Sequence, residues 1–475
     1  MDLPVNLQTA TKPQHQAEDG LPVPRRYWSI IGIWLALTMA VLDGAIANVA
    51  LPVIARQLGA SPGASVWIIN AYQLTITVLL LPLAALGDRI GYKCIYIPGL
   101  ALFTVGSVAC AIGGTLPLLI AARVFQGIGA ACIMSMNAAL VRATYPGSML
   151  GRGMGYNAMV ISVAAAVGPT LAALILSVAS WQWLFLINLP VGIAALLVGR
   201  KSLPDPHGHG HPFDWPSAIL SAAMMGLLVF GAEMFAREGA GLGIAMVVGG
   251  IVAGAALVRR ERGEANPLMP VDLLRIPVFS LSIGTSVVSF AAQMLAYVAI
   301  PFLFQSVLGR SVFATGLLMT PWPIAVGIAA PFAGRLADRV NSGLLGGIGL
   351  AIFAVGLFFL SRLGAAPGNF DIAWRMALCG LGFGIFQSPN NRTIVSAAPK
   401  PRSGAAGGML ATARLLGQTA GAVAVGAAFH LAGVRVTPTL LLAAAIAALV
   451  AAGISLLRLN VAPPGRVAVY RPILD

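Results

Sequence analysis

Charged residues are scarce in this chain. Only 9% of its 475 residues are Asp, Glu, Lys or Arg, whereas about a quarter are charged in an ordinary soluble domain. Hydrophobic residues make up 58% and the mean hydropathy is +0.88. A composition so poor in charge excludes a soluble globular protein and indicates an integral membrane protein.

Cysteine is also rare. The four cysteines, Cys94, Cys110, Cys132 and Cys379, fall in predicted helices without paired spacing, so we expect reduced packing residues and neither a disulfide framework nor a zinc site. The three histidines of the Gly/Pro-rich segment 204–211 could bind a metal, but their flexible spacing favours a solvated linker, and we expect no metal.

No G-x-x-x-x-G-K-[ST] phosphate-binding sequence occurs, and no nucleophile elbow or metalloprotease helix is found. We therefore expect no enzyme activity, no cofactor and no bound ATP, so that any work the chain does is driven by an ion gradient.

What the chain does have is long apolar runs. Runs of about 18 to 25 residues are long enough to cross a hydrocarbon core about 30 Å thick as helices. They predict an all-α integral membrane fold with fourteen spans, at 28–49, 64–86, 94–114, 117–141, 153–177, 182–199, 216–236, 241–258, 278–304, 313–334, 343–361, 372–391, 404–430 and 436–457.

The chain has 29 basic and 15 acidic residues. In a soluble protein this excess of positive charge would suggest that the partner is a nucleic acid. If the N-terminus is inside, twenty-one of the basic residues fall in inner loops and tails and only six in outer loops, while Arg123 and Arg414 stay within the membrane. This bias follows the positive-inside rule. It predicts a plasma-membrane protein with both termini cytoplasmic and no nucleic-acid partner.

A polar hinge recurs in the chain. Leu86 to Gly91 joins two spans, and Leu336 to Asn341 joins two more, 250 positions later. This recurrence predicts an internally duplicated bundle of the kind found in secondary transporters. We expect a disordered cytoplasmic tail at 1–26, a six-helix half at 27–200, a linker at 201–215, an inserted peripheral helix pair at 216–258, a linker at 259–277, a second six-helix half at 278–458 and a cytoplasmic tail at 459–475.

Ionisable residues inside the membrane are the first functional candidates, because their burial is costly. Asp43 in the first span could take up and release a proton; the alternative is a carboxylate that hydrogen bonds fix merely to orient the helix. Arg123 needs a buried acceptor or a water-filled cavity, and it could compete with a proton for a nearby acid. Arg414 could act similarly in the second half or lie near the membrane surface, and Glu233 could snorkel to the interface.

The two hinges supply candidate gating residues, namely Gly87, Asp88, Arg89, Gly91, Lys93, Asp338 and Arg339. Glycine permits the tight turn, and an aspartate can cap a helix end or pair with a basic residue in one conformation only, as a latch does. The alternative is a solvated loop that only sets topology.

Polar and aromatic residues within spans are candidates for a substrate cavity: Asn48, Gln126, Trp322, Gln387, Asn390 and Arg414. Trp322 could instead face lipid. Gly168 and Pro169 weaken the fifth span, which predicts a kink or a close helix contact there.

Together these residues resemble the major facilitator superfamily, in particular its fourteen-helix drug:proton antiporters, over residues 27–458. The similarity rests on six segments: Leu42 to Pro52, the first hinge, Arg123 to Gly129, Gly168-Pro169, Trp181 to Gly192, and Phe213 to Trp215 at the start of the inserted pair. It implies the major facilitator fold of two six-helix halves plus two inserted helices, help from Arg123 in proton transfer, and an antiporter role for Gly168-Pro169.

The chain departs from the family pattern at several positions. Ala84 replaces the first hinge glycine, Ala45 the threonine of the first span, and Asn341 the last glycine of the second hinge. Family members that export dications often carry acids in the second half, whereas the predicted helices of this second half contain none beyond Asp371 near a membrane edge. The resemblance therefore implies monocationic, zwitterionic or neutral amphipathic substrates more than dications.

The sequence therefore predicts a proton-coupled secondary active exporter of small amphipathic compounds, a multidrug efflux protein of the bacterial inner membrane that works by alternating access. Its partners would be small-molecule substrates, protons and the lipid bilayer, with envelope partner proteins left open. The alternatives are a transporter of one specific metabolite and a non-transporting membrane sensor or scaffold. Buried Asp43 and Arg123 count against a scaffold, which has no need of them.

Overall fold

The computed structural model describes residues 20–146, 149–204, 214–237, 240–262, 270–337, 339–399 and 402–461. All regular structure in these ranges is helical, which confirms the all-α prediction. The fourteen long helices are α1 Arg25–Gln57, α2 Trp67–Ile90, α3 Tyr92–Ile112, α4 Leu116–Thr144, α5 Leu150–Val178, α6 Asn188–Ser202, α7 Trp215–Arg237, α8 Ala240–Glu261, α9 Pro277–Phe302, α10 Pro321–Leu336, α11 Ser342–Ser361, α12 Asn369–Ala397, α13 Ser403–Ala432 and α14 Thr437–Leu457.

Each predicted span overlaps one of these helices. In the described ranges, twelve helices are long and apolar enough to cross a membrane. Polar residues such as Gln387 and Asn390 lower the hydropathy of α12, and the described apolar part of α7 is the shorter stretch Trp215–Gly231. Several helices run beyond the predicted limits, because proline and polar residues within a helix lying in lipid do not end it.

Several hydroxyl groups are satisfied within their own helix. The hydroxyls of Thr75, Thr104 and Thr393 each donate to the backbone carbonyl four residues earlier, at distances of 2.7 to 2.9 Å. Such bonds are needed where no water is present to satisfy a hydroxyl.

The two halves repeat one packing motif. Gly99, Phe103 and Gly106 of α3 have the same spacing as Gly349, Phe353 and Gly356 of α11. A Cβ on Gly129 of α4 would lie 2.4 Å from the Phe103 nitrogen, and a Cβ on Gly382 of α12 would lie 2.3 Å from the Phe353 nitrogen. The same glycine-dependent contact therefore joins α3 to α4 and α11 to α12, as expected for a duplicated bundle.

The inserted helices α7 and α8 pack against each other, and their apolar cluster meets Val78 of α2 and Leu416 of α13. Arg260 near the end of α8 donates to Asp214, which precedes α7, at 3.0 Å. This hydrogen bond from Arg260 lowers the pKa of Asp214 below its ordinary value, because it favours the charged carboxylate.

Some predictions fall outside the described residues. They concern residues 1–19 of the N-terminal tail, 462–475 of the C-terminal tail, 205–213 of the first linker, 263–269 of the second, Asp338 of the second hinge, and the side chain of Glu233. The segment with the three histidines is among them. The four cysteines are free, and only Cys94 is exposed.

Candidate functional site

A buried ion pair links α1 to α4. Arg123 Nη1 donates to Asp43 Oδ2, and the two residues are 0% and 2% exposed. The structure thus brings together the two ionisable residues that the sequence predicted for proton coupling. A pair at this depth persists only if its remaining polar atoms find partners, because removing two charges from water is costly.

Amide groups supply those partners. Gln126 Nε2 and Asn188 Nδ2 each donate to Asp43 Oδ1 at 2.9 Å. Both amides also donate to the hydroxyl of Ser107 in α3, at 2.9 and 3.3 Å. Gln126 was predicted to line a substrate cavity; the structure places it inside this network, three residues along α4 from Arg123, where it is 0% exposed.

The guanidinium of Arg123 is held on several sides. Its Nε donates to the carbonyl of Ile68 at 3.0 Å and its Nη1 to Gln126 Oε1 at 2.6 Å. The ring of Tyr72 lies 4.1 Å and the ring of Phe185 5.5 Å from the guanidinium carbon. Nη2 has no hydrogen bond in the described part of the chain. The contacts from α2 and from the turn before α6 fix the arginine in one position.

Sequence reasoning missed Asn188, Ser107, Tyr72 and the Ile68 carbonyl. Asn188 and Ser107 carried a usable signal, because each is a polar residue within an apolar run. The Ile68 carbonyl carried none, since every residue has one.

The cluster contains one carboxylate, that of Asp43, which could bind a proton in place of its ion pair with Arg123. A proton on Asp43 would remove the charge that Arg123 balances. The arginine would then be a buried cation without a counter-charge, which favours a rearrangement of α4 relative to α1.

At the first hinge, Gly91 lies between α2 and α3 with φ of 97°, a conformation that favours glycine. Gly87 lets α2 approach α4, since a Cβ there would lie 2.3 Å from the sulfur of Met136. Asp88 is exposed and accepts from the Tyr92 hydroxyl at 2.8 Å. Within the described residues it makes no ion pair, so the latch predicted for it is not formed in this conformation.

The remaining hinge residues lie at the same end of the bundle. Arg89 is exposed and Lys93 is half-buried. At the second hinge Arg339 is exposed, and Asn341 caps α11 by accepting from the Gly343 nitrogen at 2.7 Å. Asn341 stands where the family pattern has glycine, and its side chain caps the start of the helix.

Gly168 and Pro169 lie at two helix contacts. A Cβ on Gly168 would be 2.5 Å from the Cβ of Ala45, so glycine allows α5 to approach α1. The carbonyl of Pro169 faces Gly316, in the Val312–Met319 segment before α10, where a Cβ would be 2.5 Å away. The pair therefore joins a contact within the first half to a contact between the halves.

The predicted cavity residues of the second half are not brought together. Trp322 is 1% exposed and packs edge-on against Tyr297 and Phe353, with ring centroids 5.6 and 5.4 Å away. It belongs to an aromatic core, so neither the predicted cavity nor the lipid-facing alternative describes it. Gln387 is half-buried on α12.

Asn390 belongs to a polar cage around Arg458. Its Oδ1 accepts from Arg458 Nη1 at 2.8 Å, and its Nδ2 donates to Ser286 at 2.8 Å. Arg458 also donates to Ser282 and to Ser455. Arg458 is one of the twenty-one basic residues that the sequence assigned to the inner loops and tails. The residue is 4% exposed, and its side chain ties the end of α14 to α9 and α12. Neutral acceptors replace water around this cation.

Contacts between α1–α6 and α9–α14 concentrate towards the predicted outer face. The four side-chain hydrogen bonds described between these groups join Gln305 to the Val49 carbonyl, Gln73 to Gln418, Thr77 to Thr419, and Thr170 to Thr320. All lie between mid-helix and the predicted outer ends. Asn48, another cavity candidate, is 3% exposed beside this contact, and its Oδ1 has no hydrogen-bond partner in the described chain.

Comparison with known proteins agrees with this architecture. The family model described as Major Facilitator Superfamily matches residues 33–422 and 281–471. The chain is 53% identical to "Uncharacterized transporter YebQ" of Escherichia coli (strain K12), over 94% of the chain and 98% of that protein.

Two further relatives have more specific names. The chain is 30% identical to "Multidrug resistance protein Stp" of Mycobacterium tuberculosis (strain CDC 1551 / Oshkosh), over 84% of the chain and 75% of that protein. It is 28% identical to "Riboflavin transporter RibZ" of Clostridioides difficile (strain 630), over 82% and 84%. The match of the family model and the relatives confirm the resemblance seen in the sequence motifs, and the chain belongs to the major facilitator superfamily.

Proposed function

We propose that this membrane transporter is a proton-coupled exporter of small amphipathic compounds in the bacterial inner membrane, working by alternating access. The observation that carries the proposal is the ion pair of Asp43 and Arg123. Its carboxylate lies deep in the first half, and a proton and Arg123 would compete for it.

Protonation is coupled to the conformational change because the ion pair connects three helices. While Asp43 is charged, Arg123 ties α1 to α4 and also, through the Ile68 carbonyl, to α2. Protonation weakens this tie and changes the relative free energies of the two facing states of the bundle. A substrate that prefers the opposite state is then exchanged for the proton.

The contacts between the halves support alternating access. The described cross-half hydrogen bonds seal the bundle from mid-depth to the predicted outer face. Opening to the outside would break these four bonds, two of which join hydroxyl groups. Each is worth about 1 kcal/mol. Together they can therefore contribute a modest free-energy difference between the inward-facing and outward-facing states.

Export rather than uptake is favoured by the relatives. A protein 30% identical is named as a multidrug resistance protein and another, 29% identical, as a multidrug efflux pump. A transporter of one metabolite is the second candidate, favoured by the relative named as a riboflavin transporter, at 28% identity.

The test is transport into everted membrane vesicles energised by respiration, with and without a protonophore. Amphipathic fluorescent compounds of positive, zero and negative charge would be compared for wild type, Asp43→Asn and Asp371→Asn. Asp371 is a matched control, because it pairs with Arg375 at the start of α12, far along the chain from the network.

We expect protonophore-sensitive transport of several compounds by wild type and by Asp371→Asn, and its loss in Asp43→Asn. Undiminished gradient-driven transport by Asp43→Asn would remove Asp43 from the mechanism. Saturable transport of a single compound, with no response to the others, would favour the metabolite transporter.

A further inference from the structure

Arg414 lies on the face of α13 that is directed between the two halves. Residues advance by about 100° around an α-helix, so the neighbours of Arg414 define its direction. Gly417 faces α9, where a Cβ would be 2.3 Å from the Val287 carbonyl, and Gln418 Oε1 accepts a hydrogen bond from Gln73 of α2. Arg414 lies in the sector between these two residues and almost opposite Leu416, which packs against the inserted pair.

The depth of Arg414 is also defined. It is eleven residues from the start of α13 at Ser403, which is about 16 Å along the helix axis. One turn further on, Gln418 and Thr419 make two of the cross-half hydrogen bonds. The arginine therefore lies directly below the outer seal, on the predicted inner side of it.

Arg414 has no partner in the described structure. No hydrogen bond or ion pair joins it to another described residue, and its Nε is enclosed without an acceptor. Arg123 and Arg458 differ from it, since each of those buried arginines donates to several acceptors, although Nη2 of Arg123 also has none among the described residues. An enclosed guanidinium N–H without an acceptor is costly, so this residue is suited to a ligand that supplies one.

Open space lies along the same face. Gly407 is seven residues before Arg414, two turns away and within about 20° of the same direction. A Cβ at Gly407 would meet no atom within 4 Å. A larger side chain therefore has space at Gly407, on the side of α13 that carries Arg414.

No acid whose side chain the structure describes neutralises Arg414. Asp43 is engaged by Arg123, Gln126 and Asn188. The other acids with described side chains, Asp88, Asp214, Glu261, Asp272 and Asp371, lie at helix ends or between helices. The space between the halves thus carries a positive charge at Arg414, which attracts anions and repels cations.

We propose that Arg414 binds the anionic group of the transported compound, a carboxylate, sulfonate or phosphate on an amphipathic body. This departs from the sequence expectation of monocationic, zwitterionic or neutral substrates, although a zwitterion still offers an anionic group. It deepens the proposed function and rests on it for the transport step. The site itself requires neither proton coupling nor a direction of transport.

The first experiment measures the electrostatic effect of Arg414 at position 407. In a chain with its four cysteines replaced by alanine, Gly407→Cys would be labelled by an anionic reagent, sulfonatoethyl methanethiosulfonate, and by a cationic one, trimethylammonioethyl methanethiosulfonate. The ratio of the two rates would be compared with Arg414 present and in Arg414→Gln, in about 10 mM salt, where the screening length is about 30 Å.

We expect the anion-to-cation rate ratio at Gly407→Cys to fall about fourfold or more in Arg414→Gln, the size expected for a unit charge about 10 Å away in water. The same ratio at Gly114→Cys, an open position in the α3–α4 loop at the other end of the bundle, should not change. An unreactive Gly407→Cys, or an unchanged ratio there, would overturn the proposal. Neither result depends on proton-driven export.

The second experiment identifies the ligand class. Binding of 1-naphthylacetate, its methyl ester and 2-(1-naphthyl)ethylammonium to the purified full chain would be measured for wild type, Arg414→Lys and Arg414→Gln. The three probes share one ring system and differ in charge. Arg414→Lys keeps the cation and guards against a loss caused only by misfolding, which size-exclusion chromatography would also detect.

We expect wild type to bind the carboxylate most tightly, Arg414→Gln to bind it about tenfold to a hundredfold more weakly with little change for the ester, and Arg414→Lys to stay within about tenfold of wild type. Failure of wild type to bind naphthylacetate, a preference for the ammonium probe, or equal carboxylate affinity in Arg414→Gln would overturn the anion assignment. Loss of transport in Asp43→Asn with these affinities unchanged would separate this site from the coupling mechanism.

Discussion

Asp43 and Arg123 are 80 positions apart in the chain, and Gln126 binds both of them. The amide nitrogen of Gln126 donates to Asp43 Oδ1 at 2.9 Å, while its amide oxygen accepts from Arg123 Nη1 at 2.6 Å. The carboxylate, the guanidinium and the amide form a closed ring of contacts between α1 and α4. A change in any member should therefore affect the other two.

Replacing Asn188 by alanine should weaken coupled transport. Asn188 donates to Asp43 Oδ1, and a hydrogen bond to a charged group contributes about 1.5–3 kcal/mol. We expect proton-driven transport to fall about tenfold or more while the protein still reaches the membrane. Initial rates in energised everted vesicles would measure the effect. Asn369→Ala, at an exposed position, is the control, and an equal loss in both variants would contradict a specific role for Asn188.

Gly129→Val should destabilise the first half. A Cβ at this position would lie 2.4 Å from the Phe103 nitrogen and 2.6 Å from the Gly99 carbonyl, so α3 and α4 would have to separate. Overpacking of this kind costs about 1–3 kcal/mol. We expect a lower melting temperature of the solubilised protein, whereas Gly114→Val, in open space, should change it little. Equal melting temperatures for Gly129→Val and wild type would contradict the packing described.

Gly316→Leu should keep the halves apart at the predicted outer face. Its Cβ would lie 2.3 Å from the Cβ of Ala173 and 2.5 Å from the Pro169 carbonyl. Because the clash is between the halves and not within one, we expect normal folding but transport reduced by at least about tenfold. Gly327→Leu, in α10 where a Cβ meets no atom within 4 Å, should transport normally. The contact would have no role in closure if both variants were fully active.

The Asp214–Arg260 pair should make a small contribution to stability that depends on pH. Hydrogen bonding from Arg260 lowers the pKa of Asp214 in the folded protein, so the contribution is present above the unfolded pKa of about 3.9 and is lost as pH falls through the folded value. The side chains are 42% and 48% exposed, so we expect less than about 1 kcal/mol. Thermal melting of wild type and Asp214→Asn between pH 7 and pH 3 should show a difference that shrinks below about pH 4. A difference that grew as pH fell would contradict this sign.

Local sequence properties predicted much of the fold. A run of apolar residues forms a membrane helix wherever it lies in the chain, so the spans and the all-helical class were accessible from sequence. The duplication is also visible in the sequence, because the GLALFTVG segment of α3 is similar to the GLAIFAVG segment of α11. The limits of the helices were less accessible, because α12 continues through Asn390 and Arg392 to Ala397.

The candidate site was predicted only in part. Asp43 and Arg123 stood out because a charge within an apolar run is costly wherever its partner is. Their partners did not stand out: Asn188 is 145 positions from Asp43, and nothing local shows which polar residues share a cavity. Trp322 and Asn390 were assigned to a substrate cavity because an aromatic ring or an amide suits either a cavity or a core, and only packing distinguishes these environments.

The sequence by itself determined that the chain crosses the membrane as helices, that it is duplicated, and that Asp43, Arg123 and Arg414 lie within the spans, because each of these depends on short stretches of chain. The tertiary structure decided how those charges are paired. Arg123 meets a carboxylate. Arg458, which the sequence had assigned to the inner loops and tails, is buried among neutral acceptors, and Arg414 meets neither among the residues that the structure describes. The three arginines are chemically identical, and their different roles arise from residues that the fold brings near them from distant parts of the chain.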